Sequence, residues 1–254
     1  MTSLANRLWN ARRTGGVVDP AASDLPESNE EAYAIQHEIV ALSGHASLGY
    51  KVGSTSVEAQ RVLGTDEPGS GVLLAPYVHQ SPVRIMITAA HTPAVEGEFA
   101  FKLGRDLPPR PETYTLAEID AAIADVTGAV EVVGTRFLGG LAGKGRFLTT
   151  ADCGVNIALV TGSWSRWQSL DLTSCRVAMT INGALRGEGT GSRALGNPMN
   201  VLLWLANQKS SAGRGLKAGE IVSTGTCTGL DPVKSGDAVH ADFGALGTVE
   251  IVFE

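Results

Sequence analysis

Residues Val95–Gly104 read VEGEFAFKLG, and the rest of the chain is organised around them. The run is rich in strand formers, and Glu96 and Glu98 stand two apart in it. In a strand, side chains at i and i+2 share a face, roughly 6–7 Å apart. Two carboxylates on one face repel, and both lose hydration if that face is buried. A divalent cation between them removes both penalties. A third carboxylate, Glu131, lies in another apolar run, GAVEVVGTRF. An isolated Glu-x-Glu is more often the polar face of an edge strand. Here Glu98 is followed by Phe-Ala-Phe, and Glu131 is flanked by Ala-Val and Val-Val, a poor match to a solvated face. On the residues alone both readings stay open, with the apolar flanks tilting toward a metal. Glutamates without His or Cys select Mg2+ or Mn2+ over zinc, and three of them leave positions free for water and substrate.

Upstream, residues 2–13 predict a short amphipathic helix with Leu4, Leu8 and Trp9 on one side. Residues 14–28 are rich in Gly, Pro, Asp and Ser and read as a loop. Ser28 and Glu31 form a capping box for a helix carrying Ile35, Ile39 and Leu42, which Gly44 stops. These elements predict a helical N-terminal subdomain over 1–47, followed by a mixed β catalytic domain over 48–254. Tyr50–Val52 read as a strand, and Thr55 with Glu58 caps a short helix ended by Gly64. Residues 83–88 and 95–103 are strands by propensity, and Thr115 with Glu118 caps a helix to about Asp125. Further strands are expected at 129–137, 155–161 and 175–182, with Asn182-Gly183 as a hairpin turn. Asn197 caps a helix over 199–208 that Pro198 opens. Many short strands, much Gly and few helices predict an α+β fold, a rolled mixed β core with peripheral helices.

The 254 residues show no composition break, which suits one main core plus a small N-terminal piece. Net charge is −6 and the basic residues are scattered, which argues against a nucleic-acid partner. The three cysteines, Cys153, Cys175 and Cys227, are odd in number and widely spaced, so neither a disulfide framework nor a zinc site is expected. Reduced thiols point to a cytoplasmic protein. The N-terminus has no apolar h-region, and VLLWLA at 201–206 is too short to cross a bilayer, so no membrane role is expected.

Lys51 sits in GYKVG, between Tyr50 and Val52 and bracketed by glycines. Most lysines are surface charges; this one could instead face a cleft, to neutralise an anionic substrate or move a proton. Asp66 in TDEP and Asp152 in TTADCG are acid/base candidates, with a turn role as the simpler account of each. GTGSRA at 189–194 matches a dinucleotide fingerprint but follows a hairpin instead of opening a βαβ unit. The five histidines have no metal-ligand spacing.

Taken in order, AYAIQ (32–36), GYKVGSTS (49–56), LGTDEPGSGVLL (63–74), VEGEFAF (95–101), AVEVVGTRF (129–137), TADCGVN (150–156), the 182–207 segment, LKAGEIVSTGTCT (216–228) and the tail LGTVEIVF form one pattern. This pattern resembles the fumarylacetoacetate hydrolase superfamily, and within it the 2-keto-4-pentenoate hydratase / 4-oxalocrotonate decarboxylase branch. The resemblance implies a mixed β-roll core of that type and a divalent metal, Mg2+ or Mn2+. It implies Glu96, Glu98 and Glu131 as metal ligands, and Lys51 and Asp66 as catalytic residues. Asp152, Asn156 and Thr228 fall where the substrate pocket is expected. The implied partner is a small 2-oxo or 2-hydroxydienoate acid from aromatic catabolism, and the implied assembly a homo-oligomer.

Hydration of a 2-hydroxy-2,4-dienoate such as 2-hydroxypenta-2,4-dienoate, giving a 4-hydroxy-2-oxo acid, is the leading expectation. Decarboxylation of a 2-oxo dienedioate uses the same electron sink and is the alternative. Extra cations near the pocket would favour the dicarboxylate, and Arg136, Lys144, Arg146 and Arg193 are available. Relatives often read EIVDSR where this chain reads EVVGTR, and ADNxS where it reads ADCGVN, so Gly134 and Cys153 are departures. They motivate a third expectation, a non-catalytic subunit or binding module on the same fold. The His–Glu segment typical of the superfamily's C–C hydrolases is absent from the sequence.

Overall fold

The computed structural model describes residues 2–20, 25–141 and 143–254. The stretch read as a loop at 14–28 lies partly outside them. The first elements are α1 (Leu4–Thr14), α2 (Asn29–Ser43), β1 (Ser47–Gly53), α3 (Val57–Leu63) and β2 (Gly69–Leu74). Then come β3 (Val78–Gln80), β4 (Val83–Ile85), β5 (Ala94–Leu103), α4 (Leu116–Ala122) and β6 (Ile123–Val133). They are followed by α5 (Gly145–Ala151), β7 (Asn156–Thr161), β8 (Ser165–Arg166), β9 (Arg176–Ile181) and β10 (Ala184–Thr190). The last are α6 (Pro198–Ser211), β11 (Ile221–Ser223), β12 (Asp231–Pro232), β13 (Ala238–Asp242) and β14 (Thr248–Phe253).

The strands form two mixed sheets. The larger runs β2-β1-β11-β5-β6-β7-β3, with β12 added on β5 and β8 on β6. The smaller runs β10-β9-β13-β14-β4. In the smaller sheet the residues alternate cleanly: Val177, Met179 and Ile181 of β9, Val239 and Ala241 of β13, and Val249, Ile251 and Phe253 of β14 are buried. These rows pack on one face of the larger sheet, against Val95, Phe99, Phe101, Val126, Val130, Val132 and Val222. Helix α6 joins the same core through Val201, Leu202, Leu205 and Ala206. Phe99 meets Phe243 edge-on at 5.9 Å. That contact needs Gly128, because a Cβ there would lie 2.2 Å from the Phe243 ring. Each such buried Phe stabilises the fold by about 1.5–3 kcal/mol.

Local signals explain most ends. Thr115 and Glu118 form a full capping box on α4. Asn197 caps α6 at the Met199 N–H, with Pro198 in the first turn. Asn182 and Gly183 both have positive φ (53° and 78°) and join β9 to β10. Two expectations shift. The α3 cap is Ser56, one residue later than predicted; Thr55 is buried, and its carbonyl accepts from the Leu195 N–H. Helix α4 stops at Ala122, and β6 begins at Ile123 instead of 129. Pairing of Leu103 with Ile123 extends β6 along the length of β5, so sheet partnership overrides the helical signal.

The other face of the large sheet carries the polar residues. Helices α1 and α2 form a second core with Val72, Leu74, Phe137, Leu148 and Cys153. Gln36 of α2 is fully buried, donates to the Ser70 and Thr150 carbonyls and accepts from the Val72 N–H. The chain at Cys153–Val155 takes three consecutive left-handed residues (φ 51°, 64° and 57°) and presses onto β2. There a Cβ on Gly71 would lie 2.1 Å from the Cys153 carbonyl oxygen. We therefore expect Gly71→Ala to destabilise the protein by about 3 kcal/mol, read from urea unfolding, because both contact partners are backbone and neither can rotate away.

Candidate active site

Strand register builds the site. Glu96 lies directly opposite Glu131, and Glu98 opposite Ala129. Ser223 of β11 lies opposite Ala100, two residues along from Glu98, and also opposite Lys51 of β1. Period-two alternation then puts Lys51, Ser223, Glu96, Glu98 and Glu131 on one sheet face, away from the apolar core. Glu98 and Glu131 are fully buried, and Lys51 is 5% exposed.

Glu98 and Glu131 are each held at one oxygen. Glu98 Oε2 accepts a short hydrogen bond from Ser223 Oγ and one from the Gly225 N–H at 3.0 Å. Gly225 is obligatory there: φ is +84°, and a Cβ would sit 2.0 Å from Thr55 Oγ1. Glu131 Oε1 accepts from Asn156 Nδ2 at 2.8 Å. Its Oε2 pairs with Lys51 Nζ at 3.1 Å without a well-aligned hydrogen bond. Glu98 Oε1 is buried and has no hydrogen-bond partner.

Burial first, then the neighbouring carboxylates, raises the Glu98 pKa well above the usual range. Burial also pushes Glu96 up to about 7, with Lys51 opposing and Glu131 reinforcing. Burial alone would lower Lys51, but Glu131, Glu96 and Glu98 outweigh it, and the net direction is up. The site thus concentrates more negative charge than one ammonium can balance. A folded-state carboxyl with a raised pKa binds protons that the unfolded chain has released, so its contribution to stability falls as pH rises from 4.5 through about 7. His37, lowered to about 4 by burial and Arg214, works in the opposite direction over part of this range. The effect is therefore isolated by difference. Without metal, Glu96→Gln should gain about 1–3 kcal/mol over wild type between pH 5 and pH 8, measured by urea unfolding at each pH.

Other predicted residues are placed differently. Asn156 reaches the carboxylates, and its Oδ1 is buried without a partner. Asp152 is 2% exposed and fully engaged. Arg136 Nε donates to its Oδ1 at 2.6 Å, and the Arg136 N–H and Thr135 hydroxyl donate to its Oδ2. Thr228 Oγ1 accepts from the Gly97 N–H at 3.0 Å, between the two glutamates in sequence. Asp66 is exposed on the loop after α3 and makes no hydrogen bond or ion pair among the described residues; its neighbour Glu67 pairs with Arg146 at 2.8 Å. Of the four spare cations, Arg136 serves Asp152 and Arg146 serves Glu67, Thr65 and the Pro68 carbonyl. At Gly134 a Cβ would lie 2.6 Å from Ile157 Cδ1 and 2.7 Å from the His91 carbonyl, so no acidic side chain fits here. The Cys153 thiol is pushed up to about 11 by burial and is not a nucleophile at neutral pH. Ser223 and Gly225 are the site residues that sequence reading missed. The visible signal was one hydroxyl in the apolar run IVS, followed by the small residues TGT.

Among the described residues no three carboxylate, imidazole or thiol side chains stand together as a closed metal cage. The donor set still suits a hard cation. It is all oxygen and over-rich in negative charge, and it includes a buried Glu98 oxygen that no donor meets.

The fumarylacetoacetate (FAA) hydrolase C-terminal family model matches residues 58–253. The chain belongs to this family. It is 32% identical to 2-keto-4-pentenoate hydratase of Burkholderia vietnamiensis, over 100% of this chain and 97% of that one. The TodF product hydratase of Pseudomonas putida is 33% identical over 98% of this chain and 93% of its own length. Among solved structures, 4-oxalocrotonate decarboxylase from Pseudomonas putida G7, complexed with magnesium and adipate, superposes with a TM-score of 0.90. It is 26% identical and covers 99% of this chain and 96% of its own. These relatives span the family fold from end to end, the N-terminal helices included, and both of their activities are of the lyase type.

Proposed function

We propose that this family member is a divalent-metal-dependent lyase that hydrates a 2-hydroxy-2,4-dienoate, with 2-hydroxypenta-2,4-dienoate as the type substrate. The observation that carries the reading is full-length similarity to hydratases together with three carboxylates and Lys51 on one sheet face, all but the half-buried Glu96 being buried. Glu96, Glu98 and Glu131 would hold Mg2+ or Mn2+. Bound there, the ion would supply Lewis acidity toward the carboxylate and 2-oxygen of the substrate.

This chain's residues do the rest. Ser223 and the Gly225 N–H fix one oxygen of Glu98, and Asn156 fixes one oxygen of Glu131, so the second oxygen of each, beside Lys51 in the case of Glu131, accepts no hydrogen bond. Lys51, kept protonated by three carboxylates, offers an ammonium to a substrate carboxylate. The burial of this face excludes bulk water and strengthens each of these interactions. We assign Asn156 to the pocket wall through its unpartnered Oδ1. Asp152 acts on the pocket through the 152–156 chain that it anchors to Arg136. Thr228 supports the ligand strand through the Gly97 N–H, and we assign Asp66, on its exposed loop, the acid/base role that the resemblance implies.

Decarboxylation of a 2-oxo dienedioate is the second reading, favoured by the match to the decarboxylase structure. Against it, Arg136 and Arg146 are committed to internal partners and are not free for a second carboxylate. Product analysis with 2-hydroxypenta-2,4-dienoate and with a 2-oxo dienedioate, each with and without Mg2+, decides between them. A 4-hydroxy-2-oxo acid formed only with metal supports hydration, and CO2 release from the dienedioate supports the alternative. Metal binding without turnover of either would point to a non-catalytic role. We also propose a cytoplasmic homo-oligomer; light scattering tests the assembly. Among the described residues no helix is long and apolar enough to cross a membrane.

A further inference from the structure

A cavity of about 330 Å3 opens where α1, β3, β4 and β7 meet. None of Lys51, Glu96, Glu98 and Glu131 lines it. No acidic residue lines it either, whereas Arg12, Arg84 and Arg136 do. Two of these arginines are neutralised: Arg84 by Glu254 at 2.9 Å and Arg136 by Asp152 at 2.6 Å. Arg12 has no carboxylate partner among the described residues. Its Nη1 donates to the Asn156 carbonyl at 2.7 Å and its Nη2 to the Ile157 carbonyl at 2.9 Å. Its guanidinium stacks on Tyr77, 3.9 Å from the ring centroid. A guanidinium stays charged at any physiological pH, and charges withdrawn from water are normally paired. The histidines on the wall bring no negative charge, since an imidazole is neutral or cationic; burial lowers both His79 and His91 and so favours their neutral forms, and His91 Nε2 is within 2.8 Å of the Gly16 carbonyl.

The remaining wall is mostly apolar, with Ile85, Met86, Ile87, Ile157 and Ala158 beside the single hydroxyl of Thr88. A fixed cation beside an aliphatic wall, in a volume at the small end of ligand pockets, selects a small amphipathic anion. We propose that this cavity is a binding site for a short-chain carboxylate, its head on Arg12 and its chain along Ile85, Ile87 and Ile157. The site is distinct from the carboxylate cluster but adjoins it in the chain. Arg12 holds the carbonyl of Asn156, whose side chain holds Glu131. The binding itself does not depend on the reaction proposed above.

Titration calorimetry of the chelator-treated chain with hexanoate, and with neutral hexanamide, tests it. Hexanoate should bind at least about tenfold more tightly than hexanamide, the equivalent of about 1.4 kcal/mol. Arg12→Met should abolish that preference. Ile87→Trp, which leaves Arg12 in place and fills the cavity, should weaken hexanoate binding to the same extent, with folding of both variants checked by circular dichroism. Glu98→Gln should bind hexanoate as wild type does, which separates this cavity from the carboxylate cluster. Absence of hexanoate binding, equal binding of the amide, or binding that survives Ile87→Trp but is lost in Glu98→Gln overturns the proposal.

Discussion

Glu98→Gln should abolish metal-dependent turnover, by about 1,000-fold or more, while leaving the protein folded and, without metal, at least as stable as wild type. Glutamine keeps an acceptor oxygen for Ser223 and the Gly225 N–H, so the side chain stays anchored. It removes a buried carboxylate whose ionisation is opposed by burial and by Glu131 and Glu96. Neutralising an unpaired buried charge costs nothing in hydrogen bonds and relieves repulsion. The same change takes a charged ligand from a cation that depends on charge neutralisation. The two readouts therefore separate. Metal-free melting temperature should hold or rise, and the stabilisation that Mg2+ gives to wild type by mass action should be lost. Retained activity in Glu98→Gln would remove the three-glutamate site from consideration.

Lys51→Met should also abolish turnover, but with the opposite sign on metal-free stability. Lys51 Nζ faces Glu131 Oε2 in a setting where both side chains are less than a tenth exposed. Removing one member of a buried pair leaves the other uncompensated, at a cost of about 3–5 kcal/mol. Gly154 packs on the aliphatic stem, since a Cβ there would lie 2.8 Å from Lys51 Cδ, and methionine preserves most of that contact. The loss is therefore electrostatic. Mg2+ should restore stability to Lys51→Met, because a dication meets the charge that the ammonium met, but it should not restore turnover. Urea unfolding with and without Mg2+, run beside activity, reads both arms. If Lys51→Met retains wild-type kcat and KM, the lysine has no place in the chemistry.

The opposite stability signs follow from one imbalance, three carboxylates facing one ammonium, and that imbalance was partly visible in the sequence. Glu-x-Glu inside VEGEFAF placed two carboxylates on one strand face, and the apolar flanks of Glu131 marked it as a buried acid. Both inferences depend on local periodicity, which a strand imposes whatever its partners. The Thr115–Glu118 capping box, the Ser28 cap, the Asn-Gly turn and Pro198 marked element ends for the same reason: they are satisfied within a few residues.

Contacts between distant strands were decided in the folded chain. Glu96 opposite Glu131, and Ser223 opposite both Ala100 and Lys51, are matters of register between segments as much as 172 residues apart. No local pattern encodes which strand lies beside which. That register turned Lys51 inward, brought Ser223 and Gly225 onto Glu98, and committed Arg136 to Asp152. It also left Arg12, an unremarkable residue of an amphipathic helix, half-buried beside a cavity with no carboxylate partner among the described residues. The sequence by itself determined the residue types, the strand faces and the family pattern. Tertiary structure alone decided which charges are paired and which are left over, because pairing of charges across a fold depends on distance and burial.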